Sequence, residues 1–422
     1  MTTIGHIADL HLGYGSGRKK TEDGINIREN DGYIAFNTVI DQMINEKIDY
    51  VIVCGDVFHS PKPKMYTLIQ AQKGFRRLAE AGIEVHILTG NHDTNDIRID
   101  PSATLIIDEQ TNKIHSHSEP YVLKELNENI YVHFISHHLF SEQLETMDNI
   151  EPIKNKINIL ATHGSCFDSV FNKMLTTEQS PREIIIPEYI MNMNWDYTFL
   201  GHIHERGWVS SSDRKTDTAN RKQFYAGSLV RRGFSDKECE LGRGWTKWTI
   251  NEKTKKFTPK FFHVKERPQY SLKPIHVGKM SVKEIENKII SQLKTVVEKH
   301  EDDCGEISVE NLPMVRQTLV GISPTMNLSI NWSRFSEYID KCFVHSFKKI
   351  RVDEDFIETD IDSETSKEAI SQNKNIIQQY IHWETQNDGE NLTHIDEEIR
   401  DLVSQKTKEF LKKGQDAILN ES

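Results

Sequence analysis

Five short apolar runs in the first 204 residues each end on a cluster of the same few polar residue types. "TIGHIA" runs into Asp9 and His11, "YVIVC" into Gly55, Asp56 and His59, and "EVHIL" into Gly90, Asn91, His92 and Asp93. "INILAT" runs into His163, and "DYTFL" into Gly201, His202 and His204. Apolar runs this short and rich in β-branched residues read as buried strands. In an open α/β sheet, ligands gather outside the carboxyl ends of the strands. If these strands lie side by side, all five clusters converge on one crevice.

The intervening segments supply the helices. Phe36, Val39, Ile40, Met43 and Ile44 recur at the spacing of one buried helix face, and so do Leu68, Ala71, Phe75, Leu78 and Ala79, with Gly82 as a C-terminal cap. "NIYVHFIS", "FYAGSLVRRGF" and "GWTKWTI" add strand character, and the polar stretch 210–223 reads as a surface loop. This alternation predicts an α/β layered domain over residues 1–265. A small α+β domain is expected over 270–352: a strand near 272–277, a helix near 281–299, the strand "MVRQTLVGIS", a helix near 333–346 and the strand "FKKIRV". Residues 360–422 have a helical, acidic pattern with a polar break at "NDGENLT". Their apolar surface is too small for a core, which suits docking on another chain.

A net charge of −12 argues against a uniformly basic nucleic-acid binder, although a bound metal inverts the charge of the site that matters. Five cysteines (Cys54, Cys166, Cys239, Cys304, Cys342) form no CxxC pair, which argues against a disulfide framework or zinc ribbon and fits a reducing cytoplasm. "MTTIGHIADLHLG" lacks the features of a signal peptide, and no apolar run approaches membrane-spanning length. A cytoplasmic protein with no membrane partner is the expectation.

The clusters have a chemical logic. Two divalent ions about 4 Å apart can hold both the attacking and the leaving oxygen of a phosphoryl displacement. One carboxylate can bridge both ions, and Asp56 is the best placed for it. Asp and Asn offer hard oxygen and His offers nitrogen. Such ligation without thiolate suits Mn²⁺ or Fe²⁺, with Mg²⁺ or Zn²⁺ as alternatives. Taken singly, each motif is more often a turn or a hydrogen-bonded histidine. Five in order at strand ends are not explained that way.

The ordered set "DLHLGYG", "GDVFHSPKP", "GNHD", "THG", "GHIHE" and "YAGSLVRRGF" resembles the SbcD nuclease family of the calcineurin-like metallophosphoesterase superfamily. These are nuclease subunits of double-strand-break repair complexes. The resemblance covers residues 1 to about 250 and continues more weakly through 270–352. It implies a four-layer α/β/β/α metallophosphoesterase sandwich, a small α+β capping domain and a helical C-terminal tail. It implies two Mn²⁺ ions, one held by Asp9, His11, Asp56 and His204, the other by Asp56, Asn91, His163 and His202. His92 would face the scissile phosphate and stabilise its charge or protonate the leaving oxygen. Asp93 would orient that imidazole. His59 matches the archaeal and eukaryotic type and would position the DNA end. The implied activity is exonuclease on double-stranded DNA and endonuclease on single strands. The implied assembly is a homodimer within a heterotetramer containing an SbcC-type coiled-coil ATPase. Insertion 14–32, loop 210–223 and the acidic tail depart from the family pattern.

Arg18, Lys19 and Lys20 follow the first motif, and Arg231 and Arg232 follow "AGSLV". They are candidates to meet DNA phosphates, with a solvated loop as the alternative. His115, His117, His137 and His138 read as surface or packing residues, Cys54 on its buried strand as core, and Trp245 and Trp248 on one strand as packing rather than base stacking. Two other functions fit less well. A small-substrate phosphodiesterase or phosphatase of the same fold is one, although protein phosphatases of the superfamily carry "GNHE". A non-catalytic tether is the other, although every ligand position is filled.

Overall fold

The computed structural model describes residues 1–17, 19–94, 101–108, 111–142, 150–166, 184–209, 222–232, 242–304, 311–342 and 344–350. Arg18, most of the 210–223 stretch and the tail 360–422 therefore lie outside the described residues.

Two six-stranded sheets form the main body. In the first, β1 (Thr2–Ile7), β2 (Tyr50–Cys54), β3 (Glu84–Leu88) and β4 (Ile114–His117) run parallel, and β13 (Gly244–Asn251) and β14 (Lys256–His263) continue antiparallel beyond β1. In the second, β6 (Ile130–Ile135), β7 (Ile157–His163), β10 (Tyr197–Gly201) and β12 (Gln223–Tyr225) are parallel. β5 (Tyr121–Asn127) and β11 (Gly207–Trp208) close its edges antiparallel.

Period-two alternation sorts the side chains into layers. In β2, Ile52 and Cys54 enter the core between the sheets, while Val51 and Val53 face the helices. Phe134, Ile159, Phe199 and Trp248 complete the inter-sheet core. On the outer face of the first sheet, α1 (Ile27–Asn45) and α2 (Met65–Glu80) pack Phe36, Val39, Ile40, Phe75 and Leu78. On the outer face of the second, α4 (His137–Glu142) and the helix Glu188–Met191 pack Leu139 and Ile190. The result is the expected α/β/β/α layering. Each fully buried Leu, Ile or Phe contributes roughly 1.5–3 kcal/mol.

Trp245 and Trp248 are packing residues, but on opposite faces of β13, one in each core. Cys54 lies in the inter-sheet core. α1 starts earlier than the apolar spacing predicts because the Asn26 side chain accepts from the Arg28 and Glu29 amides and caps it. Gly74 permits close helix packing: a Cβ there would collide with the Phe36 ring.

A second lobe has its own core of Ile285, Ile289, Leu293, Val315, Leu319 and Phe335. The helix Val282–Cys304 packs on β17 (Met314–Val320). β15 (Gln269–Ser271), β16 (Ile275–His276) and β18 (Val344–Ile350) all pair with β17 in parallel. The expected helix near 333–346 is shorter. A 3-10 turn Trp332–Phe335 leads into Ser336–Asp340, and residues 344–346 already belong to β18. The ladder to β17 supplies backbone hydrogen bonds that a continued helix would forgo.

Candidate metal centre

The loops after β1, β2, β3, β7 and β10 bring the five polar clusters together. The first two loops zip to each other through Asp9 N–Gly55 O at 3.1 Å, His11 N–Asp56 O at 3.0 Å and Leu12 N–Val57 O at 2.9 Å. The turns are strained. Asp9, His11, Asp56 and His202 have φ of 52°, 41°, 54° and 93°, a region that costs a non-glycine residue of order 1–3 kcal/mol. Four such residues in one crevice indicate that the site, not the chain's local preference, sets the backbone.

Asp56 is the centre of the cluster. Its Oδ2 lies 3.5 Å from His11 Nε2 and 3.4 Å from His163 Nε2, between two imidazoles that arrive from different sheets. Its Oδ1 accepts the His92 amide at 2.9 Å. On one side, His11 Nε2 lies 3.0 Å from His204 Nε2. On the other, His163 Nε2 lies 2.9 Å from Asn91 Oδ1. His163 Nδ1 donates to the Cys54 carbonyl at 2.8 Å, which fixes the ring and turns Nε2 inward. Asp9 accepts the His202 amide at 3.0 and 3.1 Å. The His202 ring meets that of His163 edge-on at 5.2 Å.

Electrostatics suit a cation. Burial holds His11 and His204 well below the usual imidazole range and takes His202 to about 4, so these rings offer lone pairs. Burial pushes the Asp9 carboxyl up to about 7, partly offset by His163. Burial opposes the charge on Asp56 as well, but His163 and His11 hold its carboxyl well below the ordinary range. Burial lowers His163 too, yet Asp56 and Asp9 raise it to about 9. Two buried carboxylates converge here with a protonated His163 and with neutral His11, His202 and His204, and a divalent ion would replace the His163 proton as the positive charge facing both carboxylates. Asp9, His11 and His204 bring ligand atoms within 4.8 Å of one another, as do Asp9, Asp56 and His163, so the residues fit a metal centre.

His92 and His59 line the same crevice, their rings stacked at 5.6 Å. His92 Nδ1 donates to the His59 carbonyl at 3.1 Å. This corrects the expected role of Asp93. Its oxygens accept from the amides of Phe58 at 2.8 Å, Gly90 at 2.9 Å and Val57 at 3.2 Å, so Asp93 ties two loops together and does not orient the His92 ring. His11, His59 and His92 also bring three ring nitrogens within 4.8 Å of one another.

Of the basic candidates, Arg232 reaches the centre: its Nη1 is 3.2 Å from His11 Nε2. Arg231 is ion-paired to Glu266 at 2.5 Å. Lys19 has its ammonium committed to two backbone carbonyls, at 2.8 and 2.7 Å, and is withdrawn as a DNA contact. Lys20 is exposed, in a bridge with Asn26. His117, His137 and His138 are buried, in accord with packing. Buried Arg243 gave no sequence signal, because its partners are the His204 carbonyl and the Ser228 hydroxyl, the latter at 3.2 Å.

Residues 2–206, which contain all the candidate ligands and His92, match the family described as calcineurin-like phosphoesterase. The chain is also similar to "DNA double-strand break repair protein Mre11" of Methanococcus maripaludis, 28% identical over 255 residues, covering 53% of this chain and 62% of that protein. The protein of the same description from Sulfurisphaera tokodaii is 31% identical over 210 residues, 49% of each chain. A third, from Methanocaldococcus jannaschii, is 27% identical over 206 residues, 48% of this chain and 51% of the relative. The aligned regions thus span about half to three-fifths of these relatives.

Proposed function

We propose that this chain is the nuclease subunit of a DNA-end-processing complex, hydrolysing phosphodiesters with two Mn²⁺ ions. The observation that carries the reading is the single Asp56 oxygen between His11 Nε2 and His163 Nε2, the geometry of a carboxylate shared by two ions. Asp9, His11 and His204 would hold one ion, and Asn91, His163 and His202 the other, with Asp56 on both. When bound there, the ions would supply an activated water and neutralise charge on the phosphate. His92, fixed through Nδ1, presents Nε2 to the phosphate to stabilise charge or protonate the leaving oxygen. His59, stacked on it, positions the DNA end. The likeness to proteins described as double-strand break repair proteins supports DNA as the substrate.

The same reading includes an SbcC-type ATPase partner bound through residues 360–422, and a second copy of this chain. An apolar face on neighbouring helices supports the dimer. Ile34 of α1, Met65, Tyr66 and Ile69 of α2, and Ile106 beside them are all exposed. Met65→Glu with Ile69→Glu should convert a dimer to a monomer by sedimentation without changing metal content. Deleting 362–422 should abolish co-purification with the ATPase and leave Mn²⁺-dependent cleavage intact.

The enzymatic claim is tested by comparing bis-p-nitrophenyl phosphate with p-nitrophenyl phosphate in Mn²⁺. A nuclease prefers the diester. Preference for the monoester would support a small-substrate phosphatase instead.

A further inference from the structure

The insertion 14–32 and the start of α1 link the metal centre to the second lobe. Lys19 Nζ donates to the carbonyls of Asp340, at 2.8 Å, and Cys342, at 2.7 Å, where the helix Ser336–Asp340 ends. A cation at a helix C-terminus satisfies carbonyls that lack intrahelical partners. The second link is Asp31. Its Oδ1 accepts from Arg267 Nη2 at 2.7 Å, and its Oδ2 accepts from Arg267 Nε at 2.8 Å and from Arg28 Nη1 at 2.7 Å. Arg267 also donates through Nη1 to the Leu312 carbonyl, in the second lobe, at 2.8 Å.

The chain of contacts continues inward. Arg28 Nη2 donates to the carbonyl of Arg231. The next residue is Arg232, whose Nη1 is 3.2 Å from His11 Nε2 and whose guanidinium stands over the Tyr14 ring at 5.1 Å. The Arg28 and Arg267 side chains are only 3% exposed and Asp31 is 13% exposed. Two guanidinium groups withdrawn from water share one carboxylate, so removing that carboxylate weakens the anchoring of both. Arg232 itself only donates. Once the His11 lone pair is committed to an ion, the guanidinium needs another acceptor, and the crevice then favours an anion. A phosphate matches a guanidinium in charge and in forked geometry.

We propose that Asp31 is a positioning residue. Through Arg28 and the Arg231 carbonyl it fixes Arg232 over the metal centre, where the guanidinium binds a non-bridging oxygen of the phosphodiester. Through Arg267 it makes that placement depend on the docked second lobe. The proposal rests on the phosphodiesterase reading and adds a phosphate-binding cation and its control.

The test is a double-mutant cycle of Asp31→Asn and Arg232→Ala in the full chain. Each single variant should raise KM for bis-p-nitrophenyl phosphate about 10- to 100-fold, the loss of a charged hydrogen bond. Bound Mn²⁺ should be unchanged and kcat should stay within about 2-fold. The double variant should be no worse than Arg232→Ala. Additive effects on KM, or metal loss in Asp31→Asn, would overturn the proposal. The same cycle is read in the Mn²⁺-loaded His92→Ser background as affinity for a single-stranded oligonucleotide at low salt, with the same non-additivity expected. If wild type cleaves no phosphodiester, the phosphodiesterase reading fails, and the oligonucleotide affinities still decide the role of Asp31. Should Asp31→Asn not fold, Arg28→Lys replaces it, keeping charge for Asp31 while losing the fork that reaches the Arg231 carbonyl.

Discussion

The His59 carbonyl holds His92 by accepting from its Nδ1 at 3.1 Å, so the backbone of one crevice loop sets the ring of the other. This leaves Nε2 of His92 for substrate. His92→Ser should therefore lower turnover on DNA by about 10²–10⁴-fold while the bound Mn²⁺ stays unchanged. His59→Ser keeps that carbonyl and removes only the ring. It should slow exonuclease action on duplex ends more than endonuclease action on single strands. Metal loss in His92→Ser would make it a ligand, and equal slowing by His59→Ser would remove its positioning role.

Asp56 faces imidazoles from both halves of the centre. Asp56→Ala should release both ions, not one, because each half loses its shared oxygen. Elemental analysis of the purified variant decides this: two Mn²⁺ per chain retained would refute the bridging assignment.

Much of this centre was legible because strand ends announce themselves. "YVIVC" is apolar on both faces since β2 is buried between the second sheet and the helices, so Asp56 stood out as the first polar side chain after it. The roles that sequence missed involve the main chain. Asp93 looked like a partner for His92 because it is adjacent, yet its oxygens accept three loop amides. Lys19 looked like a phosphate contact because it follows the first motif, yet it ends on carbonyls some 320 residues away. Backbone carbonyls and amides carry no residue identity, so pairing with them leaves no trace in a pattern of side chains. The same holds for residues 344–346, where pairing with β17 overrides local helical spacing.

Gly90 tests how tightly the loops close. A Cβ there would collide with Asp56 Oδ1 and its backbone nitrogen. Gly90→Ala should lower the melting temperature, since overpacking typically costs 1–3 kcal/mol, and should weaken Mn²⁺ binding at least about 10-fold by displacing Asp56. Calorimetric titration showing wild-type affinity would mean that the loop relaxes freely.

Stability should fall in mild acid through His6. Its ring is fully buried between the sheets, stacked on Phe199 at 4.6 Å, and burial lowers it to about 3. The unfolded chain protonates this residue near pH 6.5 and the folded chain does not. Its contribution is therefore complete above pH 6.5 and is lost as pH falls toward 3, at up to about 1.4 kcal/mol per pH unit. Urea unfolding of wild type and His6→Phe between pH 7.5 and 4.5 measures this. The variant should lose less stability over that window, and parallel curves would show that His6 is not the group responsible.

The central claim is that one Asp56-bridged pair of ions cleaves DNA. The most direct measurement follows end-labelled duplex DNA incubated with the purified full-length chain, at two bound Mn²⁺ per chain, beside an EDTA control. The account predicts progressive shortening from the ends that requires Mn²⁺ and disappears in Asp56→Ala. Intact DNA after incubation with a fully loaded chain that still hydrolyses p-nitrophenyl phosphate would contradict it.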